Sequence, residues 1–167
     1  ASIGERMRAR RWDVLLSTFP RLAEYDVLDL GGTAGSWLRK DVRPRSLTLL
    51  NLEATELTVD AAGAALPEWI SIRTGDACAP PPDVAERRFD LIFSNCAIQW
   101  IYQIPTLFQE IYRVLKPKGV FLFSTFGPDT LFELRESFRE VDPTPMVRVN
   151  GFLDMHHLGD FLLKSYF

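Results

Sequence analysis

Short apolar runs alternate along this chain with longer stretches whose apolar residues recur at helical spacing. Residues 3–19 read as a helix, with Ile3, Met7, Val14, Leu15 and Thr18 near one face and Pro20 as its stop. Residues 27–30 form a short apolar strand that breaks into glycines, and residues 36–40 start a helix cut short before Pro44. A second strand spans 47–52, an alanine-rich helix spans 55–66 up to Pro67, and a third strand spans 69–73. Three prolines make 79–83 a loop, and 89–94 is a fourth strand. Ile104, Leu107, Phe108, Ile111 and Leu115 keep the 3-4-3-4 spacing of a helix, which Pro117 and Gly119 bring to an end. A fifth strand at 120–126 follows, then helices at 130–141 and 154–164, the last with Asp154 as its N-cap.

This order predicts an α/β fold. The strands are near-continuous apolar runs, as a sheet covered on both faces requires. Strand–helix alternation at this spacing gives right-handed crossovers and a Rossmann-like, doubly wound, mostly parallel sheet. Ligands of such sheets bind beyond the strand C-termini, at the point where strand order reverses.

Composition narrows the partners. Apolar residues make up 47% of the 167, enough to bury a core in one domain. The net charge of -3 gives no broad basic field, which disfavours a nucleic-acid partner held through phosphates. Four arginines between Arg6 and Arg11 read as the solvated face of the first helix. Cys78 and Cys96 lack metal-type spacing and fit reduced thiols of a cytoplasmic protein. No apolar run reaches membrane-spanning length. His156 and His157 are adjacent, so on a helix they diverge by about 100°, poor geometry for one metal.

The chemistry gathers after the first strand, in Asp29-Leu30-Gly31-Gly32-Thr33-Ala34-Gly35. Glycines there let the backbone turn sharply and approach a ligand. A dinucleotide fingerprint counted from Gly31 would need glycines at Thr33 and Ser36, so a bound pyrophosphate is disfavoured. A ligand with an amino-acid end is better matched: Asp29 can accept from an ammonium, and the amides of Gly31 to Gly35 can donate to a carboxylate.

The loop resembles the Asp-x-Gly-x-Gly-x-Gly motif of class I S-adenosylmethionine-dependent methyltransferases, with Thr33 at the middle glycine. Further segments match that family in order. Asn51 stands where the family has a ribose-gripping acid, with Glu53 two residues on. Gly75-Asp76-Ala77 resembles the segment that meets adenine, Phe89 to Asn95 the strand facing the methyl donor, and Glu110 to Gly119 the helix and turn before the fifth strand. The first part, through Glu53, is similar to a little-characterised bacterial methyltransferase group. The second half, from Ser94 through Ser124-Thr125-Phe126-Gly127-Pro128-Asp129-Thr130-Leu131 to Asp160, resembles malonyl-acyl-carrier-protein O-methyltransferases of biotin synthesis, and also the methyltransferase-like assembly factors of respiratory complex I.

The resemblance implies S-adenosyl-L-methionine as cofactor, held by Asp29, Gly31, Gly32, Gly35, Asn51, Glu53, Asp76, Ala77 and Asn95. It implies a small-molecule or acyl-carrier-protein-linked acceptor met by Trp100 and Arg148, with no catalytic base and no metal. Gly151 stands where the malonyl-specific pattern has an arginine. The family's sheet ends in a hairpin after the last helix, so the chain is expected to be a single domain over 1–167 without that edge hairpin. A non-catalytic scaffold of the same fold is the alternative reading.

Overall fold

The structure is a computed structural model. It describes residues 3–38, 43–53, 65–141 and 151–167, with the side chains of the first helix from residue 10 onward. Five strands form one parallel sheet in the order β3-β2-β1-β4-β5: β1 (Asp26–Leu30), β2 (Ser46–Asn51), β3 (Ile70–Thr74), β4 (Phe89–Asn95) and β5 (Leu115–Ser124). The chain leaves β1 toward β2 and β3 on one side, then returns to lay β4 and β5 on the other. The switch point therefore lies between β1 and β4, beside the glycine loop.

Helices cover both faces. On one, α1 (Ile3–Thr18) and α2 (Ala34–Leu38) pack over the sheet through Trp12, Leu15, Phe19 and Trp37. On the other lie α3 (Pro82–Ala85), α4 (Ile104–Val114) and α6 (Met155–Lys164), while α5 (Phe132–Val141) carries no buried residue. Burial from both sides explains why β1, β2 and β4 are almost wholly buried. At the edge, β5 pairs with β4 alone among the described strands.

Several expectations need adjusting. Among the described side chains the buried face of α1 is Trp12 and Leu15, continued by Phe19 just past the helix, whereas Val14 and Thr18 are exposed; the side chains of Ile3 and Met7 lie outside the described ones. An aromatic box decides the rotation: Trp12 meets Trp37 edge-on at 4.7 Å between centroids, and both rings meet Phe93. The proline run ends in the short helix α3, because Pro82 sits in its first turn, where a missing N–H costs nothing. The stop at Lys116–Gly119 is a bulge inside β5: Leu115 pairs with Phe89 and Val120 already with Leu91. The expected helix at 55–66 falls mostly outside the described residues. The Asp154 carboxylate accepts from the His157 amide at 2.8 Å and caps α6 as the sequence predicts. No helix among the described residues is long and apolar enough to cross a membrane.

Candidate functional site

The strand C-termini are tied into one rim. The Gly31 amide donates to the Leu50 carbonyl at 3.0 Å, Gly75 N–H to Asn51 at 2.9 Å, and Cys96 N–H to Ser124 at 2.9 Å. Ser94, fully buried, donates its hydroxyl to the Leu30 carbonyl at 3.2 Å. The glycine loop rises from this rim at the switch point.

Asp29 is the chemically unusual group. It is 2% exposed, and its Oδ2 accepts from the Trp37 indole N–H at 2.7 Å. Its Oδ1 is buried with no partner. Burial pushes this carboxyl up to about 7, and the indole hydrogen bond offsets only part of that. A buried carboxylate oxygen without a donor is an acceptor waiting for one. The Trp37 side chain is buried in the core, and from there it also clamps the carboxylate.

Two glycines are required by contacts that the loop motif alone does not reveal. Gly31 has φ +79°, and a Cβ on it would lie 2.5 Å from the Ala97 Cβ. A Cβ on Gly32 would lie 1.9 Å from the Asp29 Oδ2, so the carboxylate fits only beneath a glycine. Gly35, by contrast, opens onto free space within α2. Thr33, at the middle-glycine place, turns outward and pairs its hydroxyl with that of Ser36 at 2.9 Å.

At the end of β2, Asn51 is half-buried and donates its side-chain amide to the Gly32 carbonyl at 3.1 Å. Glu53 is exposed just past the strand. Beyond β3, the Asp76 carboxylate accepts from the Cys78 amide at 2.8 Å, and Ala79 N–H donates to the Asp76 carbonyl at 3.0 Å. Ala77 in that turn leans on the core. Burial, with help from Asp76, pushes the Cys78 thiol up to about 11, so it stays protonated.

At the end of β4, Asn95 accepts the Ser124 hydroxyl at 2.8 Å. Cys96 follows with φ +54°, a left-handed conformation that non-glycine residues rarely adopt and that concentrates at functional turns. Trp100 is 61% exposed and lines a cavity of about 290 Å³ with Tyr102, Thr125, Phe152 and Leu158. Asp29, Gly31, Gly32, Asn51 and Asn95 thus gather around the ends of β1, β2 and β4, with Asp76 and Ala77 beyond β3. Trp100 lies in a separate hollow, and Arg148 falls outside the described residues. Among the described residues no group of three or more His, Cys, Asp or Glu could hold a metal.

Comparison with known proteins bears on this rim directly. A family model described as a methyltransferase domain matches residues 28–123, from inside β1 to the end of β5. The chain is 37% identical over 150 residues to the malonyl-[acyl-carrier protein] O-methyltransferase 1 of Coxiella burnetii, covering 89% of this chain and 49% of that one. It is 34% identical over 160 residues to the malonyl-[acyl-carrier protein] O-methyltransferase of Xylella fastidiosa, covering 93% and 51%. The likeness read in the second half therefore extends through the first, and the chain spans about half the length of these relatives. Among solved structures, Haemonchus contortus phosphoethanolamine N-methyltransferase 2, in complex with S-adenosyl-L-methionine, superposes with a TM-score of 0.68 at 21% identity, over 94% of this chain and 36% of that one. At that identity the likeness concerns the fold.

Proposed function

Because the chain belongs to the class I S-adenosylmethionine-dependent methyltransferases, we propose that it carries the cofactor-binding part of an enzyme that methylates the free carboxylate of a malonyl group on acyl-carrier protein. The observation carrying this reading is the likeness to malonyl-acyl-carrier-protein O-methyltransferases over nine-tenths of the chain. When bound, S-adenosylmethionine supplies an electrophilic methyl on a cationic sulfur.

The residues present fit that cofactor. Its ammonium is a donor for the orphaned Asp29 Oδ1, and its charge favours the ionised form of that carboxyl. The Gly31 amide is committed to Leu50, so the amides of residues 32–35 are the ones left for the cofactor's carboxylate, with Gly31 and Gly32 keeping the approach free of Cβ atoms. Glu53 is our choice for the ribose hydroxyls, since an ionised acceptor bonds about twice as strongly as a neutral one. The Asn51 amide is already engaged by the loop carbonyl. Asp76 and Ala77 are assigned to adenine, Asn95 to the methyl-donor side, and Trp100 and Arg148 to the acceptor.

A malonyl carboxylate is ionised at neutral pH, so the protein needs to supply position, desolvation and a counter-charge, with no general base. Two packed clusters share one sheet, which supports reading 1–167 as a single domain, and we assign the reaction to the cytoplasm. Titration with S-adenosylhomocysteine, followed by a methyl-transfer assay on malonyl-acyl-carrier protein, tests the proposal. Cofactor binding together with ester formation is expected. Binding without transfer would favour the non-catalytic scaffold.

A further inference from the structure

A second cavity, of about 250 Å³, opens between α1 and the C-terminal ends of β4 and β5. Arg10, Arg11, Asn95 and Ser124 supply its polar wall, and Phe93 and Leu122 part of its apolar wall. The arginines belong to the segment that the sequence assigns to a solvated helix face. The packing of α1 changes that assignment. With Trp12 and Leu15 turned into the core, Arg11 is drawn half under cover, and its Nε lies out of reach of solvent with no acceptor. Among the described residues no carboxylate forms an ion pair with Arg10 or Arg11. The other polar contacts at this wall among the described residues are internal: Ser124 donates its hydroxyl to Asn95 at 2.8 Å and accepts from the Cys96 amide at 3.2 Å.

A guanidinium with a buried unmet N–H, set in an apolar hollow beside a carboxamide, matches a carboxylate, whose two oxygens accept from its planar fork. The carboxylate could come from the methyl acceptor or from the amino-acid end of the cofactor. The location favours the acceptor. The cavity touches no residue of the Gly31–Gly35 loop and sits over β4 and β5, on the far side of the switch point from β2. We infer that this cavity binds the carboxylate of the methyl acceptor, with Arg11 as its principal anchor and Arg10 as the outer cation. This rests on the carboxylate-methylating reading above, and it supplies the counter-charge that the missing arginine at Gly151 would otherwise have provided.

The chemistry sets the kinetic signature. As the oxygen–methyl bond forms and the sulfur–methyl bond breaks, with the electron pair passing to sulfur, the carboxylate loses its charge. Arg11 therefore holds the substrate more tightly than the transition state or the neutral ester product. Its removal should raise KM without lowering kcat, a split that a merely structural role would not produce.

The test is methyl transfer to malonyl-acyl-carrier protein by the wild type, Arg11→Gln and Arg11→Lys, alongside S-adenosylhomocysteine titrations of each. The inference expects about a tenfold or greater rise in KM for Arg11→Gln, partial recovery in Arg11→Lys, and unchanged S-adenosylhomocysteine affinity. An unchanged KM in Arg11→Gln overturns it and leaves the proposed function standing. A matching loss of S-adenosylhomocysteine affinity also overturns it, handing the arginine to the cofactor's own carboxylate. If Arg11→Gln does not fold, Arg11→Lys, which keeps the charge and loses the fork, must still show the KM rise. If the wild type does not methylate this substrate, the malonyl reading falls. The cavity is then read by titrating malonate into the protein saturated with S-adenosylhomocysteine. Binding lost in Arg11→Gln supports the inference, and no binding, or binding kept in the variant, overturns it.

Discussion

Two aspartates three residues apart on β1 live under opposite conditions. Asp26 begins the strand, at the end of the sheet away from the candidate site. It accepts from Arg45 Nε at 2.9 Å, the Ser46 hydroxyl at 2.8 Å and Lys116 Nζ at 3.0 Å. Lys116 also reaches Asp90 at 2.8 Å, and Asp90 in turn accepts the Asp26 amide at 2.8 Å. The Arg45 hydrogen bonds hold the Asp26 carboxyl well below the usual carboxylate range. Asp29, near the other end, has one indole donor, one orphaned oxygen and a carboxyl pushed up to about 7 by burial. One end of the strand is electrostatically complete, and the other is left unfinished at a cost in stability. That contrast is expected where a scaffold end meets a ligand end, since binding sites keep groups that only the ligand satisfies.

The largest expected effect comes from removing the unfinished charge. Asp29 has a raised folded-state value, from about 3.9 unfolded to about 7, so its penalty is absent below pH 4 and grows through pH 4–7. About three units at 1.36 kcal/mol each bound that penalty at about 4 kcal/mol above pH 7. Asp29→Asn should therefore be more stable than the wild type in urea melts at pH 8, by up to that amount, with the gap closing at pH 4. S-adenosylhomocysteine binding should weaken in the same variant. Equal melts at both pH values would break the comparison.

Next is Gly32→Ala, whose Cβ would overlap the clamped Asp29 carboxylate at 1.9 Å. Overpacking of this kind costs about 1–3 kcal/mol, and here it also displaces the group meant for the ammonium. Thermal melting and calorimetry with S-adenosylhomocysteine should both register it. Wild-type affinity in this variant would mean that the Asp29 position is irrelevant to binding.

Asp26→Asn probes the completed end. Its carboxyl is lowered in the fold, so its stabilisation is present above about pH 4 and is lost as pH falls through the folded value. The network is partly exposed, which limits the expected loss to roughly 1–2 kcal/mol at pH 7, and cofactor affinity should not change. A fall in affinity would show that the two ends are coupled.

The smallest effect sharpens the rim itself. Glu53→Gln should weaken S-adenosylhomocysteine binding by about three- to tenfold, more than Asn51→Ala does, if the ionised group holds the ribose. The reverse order would return the role to Asn51, in spite of its bond to Gly32.

The sequence by itself determined the succession of the five strands, the parallel sheet, the glycine turn after β1, the buried face of α4 and the cap of α6. These follow from local periodicity and local breakers, which a single segment displays in full. Only the tertiary structure decided what those segments do to one another. Residues 26, 45, 90 and 116 become one charge network because parallel pairing aligns the starts of four strands drawn from distant parts of the chain. Trp37 becomes the donor to Asp29, Gly32 becomes obligatory, and α1 rotates Trp12 inward and Arg11 beside a cavity. No spacing rule encodes these outcomes. They depend on which side chain fills the volume next to which across the closed sheet, and that volume exists only once the strands have met.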